Sequence, residues 1–117
     1  MKFVKHRNKW CWGKSTIIIT NDGCGTITVQ FDDEFPDDAI IAGLSVHESK
    51  RKKGYGTKLL HEAEAEARLN FKKTLYISCD KDSWVEKWYM KEGYVNDCLL
   101  LEYDNKIRRL KKDISIL

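Results

Sequence analysis

The stretch Arg51-Lys52-Lys53-Gly54-Tyr55-Gly56-Thr57 joins two segments of different periodicity. Before it, Ala39 to Val46 is almost continuously apolar, the pattern of a strand covered on both faces. After it, from about Gly54, Leu59, Leu60, Ala63 and Ala67 share a face at helical spacing. Lys58, Glu62, Glu64, Glu66 and Arg68 are assigned to water on the opposite side. Thr74 to Cys79 then reads as another strand. Strand, helix, strand in that order predicts a right-handed crossover whose two strands run parallel. The middle of the chain is therefore a βαβ unit.

That location gives the two glycines chemical meaning. A helix N-terminus carries unpaired N–H groups and the positive end of the dipole, which together favour a phosphate. Gly54 and Gly56 let backbone approach a ligand closely, and Arg51, Lys52 and Lys53 add charge where an anion would sit. The plain alternative is a solvated basic turn in which the glycines only permit a bend. A Walker A loop is excluded because no Gly-Lys-Ser/Thr ending is present. A Rossmann fingerprint fits poorly, since Leu59 holds the third glycine's place and about seven residues separate Val46 from Gly54.

Outward from this unit, Thr16 to Thr20 is β-branched throughout, and Thr26 to Phe31 puts Ile27, Val29 and Phe31 on one face. Asn21-Asp22-Gly23-Cys24-Gly25 between them supplies turn chemistry, so an antiparallel hairpin is expected. An acidic loop around Pro36, the only proline, precedes Ala39. On the other side, Ser83-Trp84-Val85-Glu86 fits a capping box, with Glu86 reaching back to the N–H of Ser83. The helix it opens should run to about Lys91 and stop at Gly93. Cys98 to Tyr103 reads as a final strand. In the tail, Ile107, Leu110, Ile114 and Leu117 fall at helical spacing, while Ile114 to Leu117 equally fits a strand.

The 117 residues, 42% hydrophobic, suffice for one core, so residues 1–117 are read as one domain. Residues 1–15 form an N-terminal extension and residues 104–117 a basic C-terminal tail. The net charge of +3 falls short of a surface built to grip nucleic acid. Cys11, Cys24, Cys79 and Cys98 stand too far apart for a Cys-x-x-Cys pair or zinc spacing, so no metal is expected. With no leader-like or membrane-spanning run, the expectation is a cytoplasmic protein with reduced thiols and no membrane partner.

Leu44-Ser45-Val46, then Arg51-x-x-Gly54-x-Gly56 and Leu59-Leu60, resembles the signature of the GNAT superfamily of N-acetyltransferases. Trp88-Tyr89-Met90-Lys91-Glu92-Gly93-Tyr94 is similar to that family's second signature. The two occur in the family's order with a strand between them, and the resemblance covers Ala39 to about Tyr103. It implies an α/β (mixed α+β) acyl-CoA N-acyltransferase-like fold. In that fold the central sheet is mixed, with an antiparallel N-terminal hairpin and a βαβ unit, and helices pack on the sheet.

The resemblance also implies roles. Arg51 opens the loop whose amides, on Lys52, Lys53, Gly54, Tyr55, Gly56 and Thr57, would bind the pyrophosphate of acetyl-CoA. The pantetheine arm would pair with main chain at Leu44, Ser45 and Val46. Its thioester would enter a gap between that segment and Ile77-Ser78-Cys79. Tyr89 aligns with the tyrosine that many members use as general acid toward the CoA thiolate; the plain alternative is a core aromatic beside Trp84, Trp88 and Tyr94. The acceptor amine must lose a proton, yet Ala39 to Val46 offers no acid, so Asp80 is the candidate base, against a plain loop carboxylate. Asp82 stands where many members have a pantetheine-contacting Asn. Ser45 and Ser78 are limited to relay or hydrogen-bonding roles, and His47 is read as structural.

Members of the family usually place a strand and one or two helices ahead of the hairpin, where only about 15 residues precede Thr16 here. Trp10 and Trp12 are expected to cover the sheet in part. The acceptor site should then be open, or completed by a second subunit in a homodimer. The acceptor amine is unidentified: a small molecule, a peptide or a protein. The acidic stretch from Asp32 to Asp38 is a solvated loop or an attractor for a cationic acceptor. Besides acetyl transfer, a non-catalytic acyl-CoA-binding module on the same fold remains open, as does a small basic nucleic-acid binder.

Overall fold

A computed structural model describes residues 1–97 and 106–115. Among them lie seven strands, β1 (Phe3–Trp10), β2 (Gly13–Thr20), β3 (Gly25–Asp32), β4 (Asp38–Val46), β5 (Thr74–Asp80), β6 (Val95–Asn96) and β7 (Ile107–Asp113). They form one mixed sheet in the order β1-β2-β3-β4-β5-β7-β6, in which β4 and β5 are the parallel pair. Two α-helices complete the described part: α1 (Tyr55–Leu69), between those parallel strands, and α2 (Trp84–Lys91).

Ile27, Val29 and Phe31 of β3 are all buried, as their alternation requires. The β2–β3 turn closes around Asp22, whose Oδ1 accepts from the Cys24 N–H and the Thr20 hydroxyl, with Gly23 at φ +76°. Helix α1 lays Leu59, Leu60, Ala63 and Ala67 on Ile18, Ile27 and Val29, all fully buried. Burying each of the larger side chains contributes about 1.5–3 kcal/mol. Helix α2 joins the same cluster through Tyr89, and Tyr94 behind it donates its hydroxyl to Glu64 of α1 at 2.9 Å.

Both helices therefore cover one face of the sheet, which corrects the reading of β4 as a strand covered twice. Ala39 and Ile41 are buried, whereas Ile40, Ala42 and Ser45 are exposed on the other side. The apolar run at this strand reflects a bare face rather than a second layer.

Glu64 and Glu66 do not face water. They are 3% and 1% exposed, because the sheet extends under both flanks of α1 and supplies partners. Glu66 accepts two bonds from Arg7 of β1, at 2.8 and 2.9 Å, and one from Thr16 at 2.8 Å. Those bonds hold its carboxyl below the usual range, the bond from Arg7 foremost. Glu64 accepts from Tyr94 and from Lys112 of β7, at 3.0 Å.

Residues 3–10 of the expected extension thus form edge strand β1. The tail resolves as a strand, with β7 running along β5 from Asp80 opposite Ile107 to Thr74 opposite Asp113. Leu110 and Ile114 are buried, while Ile107 is exposed. The expected strand Cys98 to Tyr103, and Leu117, lie outside the described residues. Trp10 and Trp12 stack on each other at 5.2 Å and leave 44% and 46% of their surfaces open, so they give the sheet little cover. No described helix is long and apolar enough to cross a membrane.

Candidate active site

Strand β4 changes partners along its length. It pairs with β3 throughout, but a bulge at Ala42 shifts the register, since Ile41 faces Val29 and Gly43 faces Thr28. On its other side only Asp38, Ala39 and Ile40 pair with β5, opposite Thr74, Leu75 and Tyr76. Beyond the bulge the two strands continue without pairing, and β5 stays bound to β7 up to Asp80. The β5 side of Leu44-Ser45-Val46 therefore has no strand partner and faces Ile77-Ser78-Cys79 across a gap.

A cavity of about 1040 Å³ fills this gap. Leu44, Ser45 and Val46 line one wall and Ile77, Ser78 and Cys79 the other. One end is closed by Arg51, Lys52, Gly54, Tyr55, Gly56 and Thr57, joined by Lys50. Such a volume holds a ligand larger than most small metabolites.

At that end the chain leaves β4 through a single 3-10 turn, Glu48–Lys50, capped by His47, whose Nδ1 accepts from the Ser49 N–H. Arg51 folds back so that its Nε donates to the Val46 carbonyl at 3.3 Å. Lys52 and Gly54 then adopt φ of +62° and +83°, and Gly54 becomes the N-cap of α1. A glycine cap has no side chain, no acid stands in the first turn, and the first intrahelical bond made there is Lys58 N–H to Gly54 carbonyl. The N–H groups of Tyr55, Gly56 and Thr57 are thus presented as an uncapped, positively polarised helix end. At Gly56 an added Cβ would meet Cζ2 of Trp88 at 3.4 Å, an ordinary contact, so α2 packs directly against the first turn of α1 here.

Helix α2 supplies the rest of the wall with Trp84, Val85, Trp88 and Tyr89. Ser83 caps it by accepting from the Glu86 N–H at 3.1 Å. Glu86 does not return to Ser83; it accepts from the Asp82 N–H at 3.3 Å, because Ser83 N–H is turned to the Asp80 carbonyl. Gly93 ends the helix at φ +100°. Tyr89 is 5% exposed, packed edge-on to Tyr94 at 5.8 Å and tilted on Trp88 at 4.9 Å. Among the described residues its hydroxyl has no hydrogen-bond partner, and Tyr89 lines the cavity. Burial, with the Cys79 thiol adding to it, pushes its pKa up to about 12. Burial likewise raises the Cys79 thiol, with Glu86 and Asp80 adding to the effect.

Three expected site residues are not brought to the cavity. The lining does not include Lys53, Asp80 or Asp82. Asp80 lies opposite Ile107, on the face of the sheet away from both helices. Asp82 is exposed at φ +61°. The acidic stretch from Asp32 to Asp38 also stands apart, at the start of β4 rather than at its open end. Sequence reasoning missed Lys50, Val85 and Trp88 as lining residues; the helical spacing of Val85, Trp88 and Tyr89 was the available signal. Among the described residues no group of His, Cys, Asp and Glu gathers to hold a metal.

Residues 10–96 match the family model described as the acetyltransferase (GNAT) domain. No curated protein sequence matches the chain. Solved structures of similar fold include the IAA acetyltransferase of Bacillus cereus, at 16% identity and a TM-score of 0.72, covering 96% of this chain and 99% of that one. A GNAT family acetyltransferase of Elizabethkingia anophelis with acetyl-CoA bound matches at 15% identity and 0.70, over 95% and 97% of the two chains. The Bacillus subtilis acetyltransferase in complex with CoA matches at 18% and 0.69, over 96% and 99%. At these identities the structures establish the shared fold.

Proposed function

Because the chain belongs to the GNAT acetyltransferase family, we propose that it is an N-acetyltransferase moving an acetyl group from acetyl-CoA directly to an amine. The observation that carries this reading is the junction of three features in one cavity: the uncapped α1 N-terminus, the bare β4 edge and the Tyr89 hydroxyl. Acetyl-CoA supplies an activated acyl carbon and a thiolate leaving group.

The N–H groups of Tyr55, Gly56 and Thr57, with Lys50, Arg51 and Lys52, hold the pyrophosphate. Leu44 to Val46 pair with the amides of the pantetheine arm, as a partner strand would. Tyr89 keeps its proton at every ordinary pH, since its pKa lies near 12. Full transfer to a thiolate of ordinary pKa, about 8.5, would run uphill by roughly 5 kcal/mol. Tyr89 therefore acts by donating a hydrogen bond to sulfur as the C–S bond breaks, and the low dielectric around it strengthens that bond.

One observation favours a second reading, a non-catalytic acyl-CoA-binding module. Asp80, the candidate base, is outside the cavity, so the amine's proton must leave through water on the open face. Release of CoA thiol with a panel of amines separates the two readings: amine-dependent release establishes transfer, and tight binding without release establishes the module.

A further inference from the structure

The face of the sheet away from the helices carries a cation on β7, across β5 from the gap. Register places Ser78 opposite Arg109 and Tyr76 opposite Lys111, all on this face, since Leu75 and Ile77 between them point into the core. Ser78 borders the cavity, so Arg109 is the cross-strand neighbour, about 5 Å away at Cα, of a residue at the reacting end of the gap. The Arg109 guanidinium lies over the Tyr76 ring, 4.6 Å from its centroid. Among the described residues its buried Nε makes no hydrogen bond, and Asp97 pairs with it at 4.0 Å. Asp97 is shared with Lys111 at 3.6 Å, so among the described residues this one carboxylate faces both cations. Two residues along β5 from Ser78, on the same face, Asp80 provides the opposite charge.

We propose that Arg109 binds a carboxylate on the acceptor, so that the substrate is an amine bearing a carboxylate a few bonds away, of the amino-acid class. This rests on the acetyl-transfer reading above. A guanidinium is itself planar and presents two parallel N–H donors to a carboxylate, and a planar anion is what that group selects. The amine is then directed to the gap between Ser45 and Ser78, with Asp80 two residues farther along β5. A polyamine would meet Arg109 as a like charge.

The test compares glycine and β-alanine with glycinamide and spermidine as acceptors, on the wild type and on Arg109→Ala and Arg109→Lys, with acetyl-CoA affinity measured on each preparation. The expected result is transfer favouring the two carboxylate amines. Arg109→Ala should raise their KM about tenfold or more while leaving glycinamide and acetyl-CoA affinity unchanged. Arg109→Lys should restore part of the loss. Transfer to glycinamide or spermidine at equal or better efficiency overturns the assignment, as does no transfer to either carboxylate amine, or equal KM in Arg109→Ala. Acetyl-CoA binding and transfer to the other amines keep the readings apart: with transfer to glycinamide or spermidine only the acceptor assignment falls, with binding but no transfer to any amine the acetyl-transfer reading falls with it, and without binding the coenzyme reading falls too.

Discussion

The phenol of Tyr55 donates to the carboxylate of Asp22, tying the β2–β3 turn to the first residue of α1. Asp22 is already held by Thr20 and the Cys24 N–H, so its position is fixed before Tyr55 reaches it. The bond holds the Asp22 carboxyl below its ordinary range and raises the Tyr55 phenol. Tyr55→Phe should leave the fold intact and weaken acetyl-CoA binding about three- to tenfold, by loosening the helix end that meets the pyrophosphate. Calorimetry of the two proteins checks this, and equal affinities would remove the tie from coenzyme binding.

Tyr89→Phe keeps the ring contacts with Trp88 and Tyr94 and removes only the hydroxyl. The turnover number should fall about 100-fold, with acetyl-CoA affinity changed less than about twofold. Because the phenol pKa lies near 12, the wild-type pH–rate profile should show no inflection from Tyr89 below about pH 10, and activity should rise with deprotonation of the acceptor amine.

Arg7→Ala leaves the buried carboxylate of Glu66 with Thr16 and a distant Lys5. The variant should be less stable than the wild type at pH 7, read as a lower midpoint in urea denaturation. The folded-state pKa of Glu66 is depressed, so its ion pair contributes above the unfolded pKa and is lost as pH falls through the folded one. The gap between wild type and variant should therefore be full at pH 7 and shrink below about pH 4. A gap that widens in acid would contradict the pairing.

Burial leaves little thiolate at Cys79, whereas Cys11 is exposed. At pH 8 iodoacetamide should modify Cys79 more slowly than Cys11, and acetyl-CoA should slow it further by filling the cavity. Peptide mapping reads both rates. Unchanged Cys79 labelling under saturating acetyl-CoA would put the ligand elsewhere.

Much of the fold was legible because its signals are local. Alternation at Ile27, Val29 and Phe31, the switch to helical spacing at Leu59 and the Ser83 cap each act within a few residues, and each appears where expected. Edge strand β1 was not legible, because an edge half in water needs no apolar pattern; only Phe3 and Lys5 are even half-buried. Glu64 and Glu66 misled for the converse reason. Their burial depends on Arg7, Thr16, Tyr94 and Lys112, partners that local spacing does not reveal. At the site, the backbone groups of the Gly54 and Gly56 loop could be placed from the sequence, since they follow the chain path. Side chains such as Asp80 could not, because the face a strand residue takes follows from register with β7.

The central claim is that the α1 N-terminus and the β4 edge together hold acetyl-CoA. Calorimetric titration with acetyl-CoA of the wild type and of the Arg51→Ala/Gly56→Glu variant tests it most directly, with circular dichroism to show that both are folded. The account predicts saturable binding to the wild type, reduced by a hundredfold or more, on the order of 3 kcal/mol, when a carboxylate replaces the bare helix end. No binding to the folded wild type, or equal affinity in the variant, would contradict it.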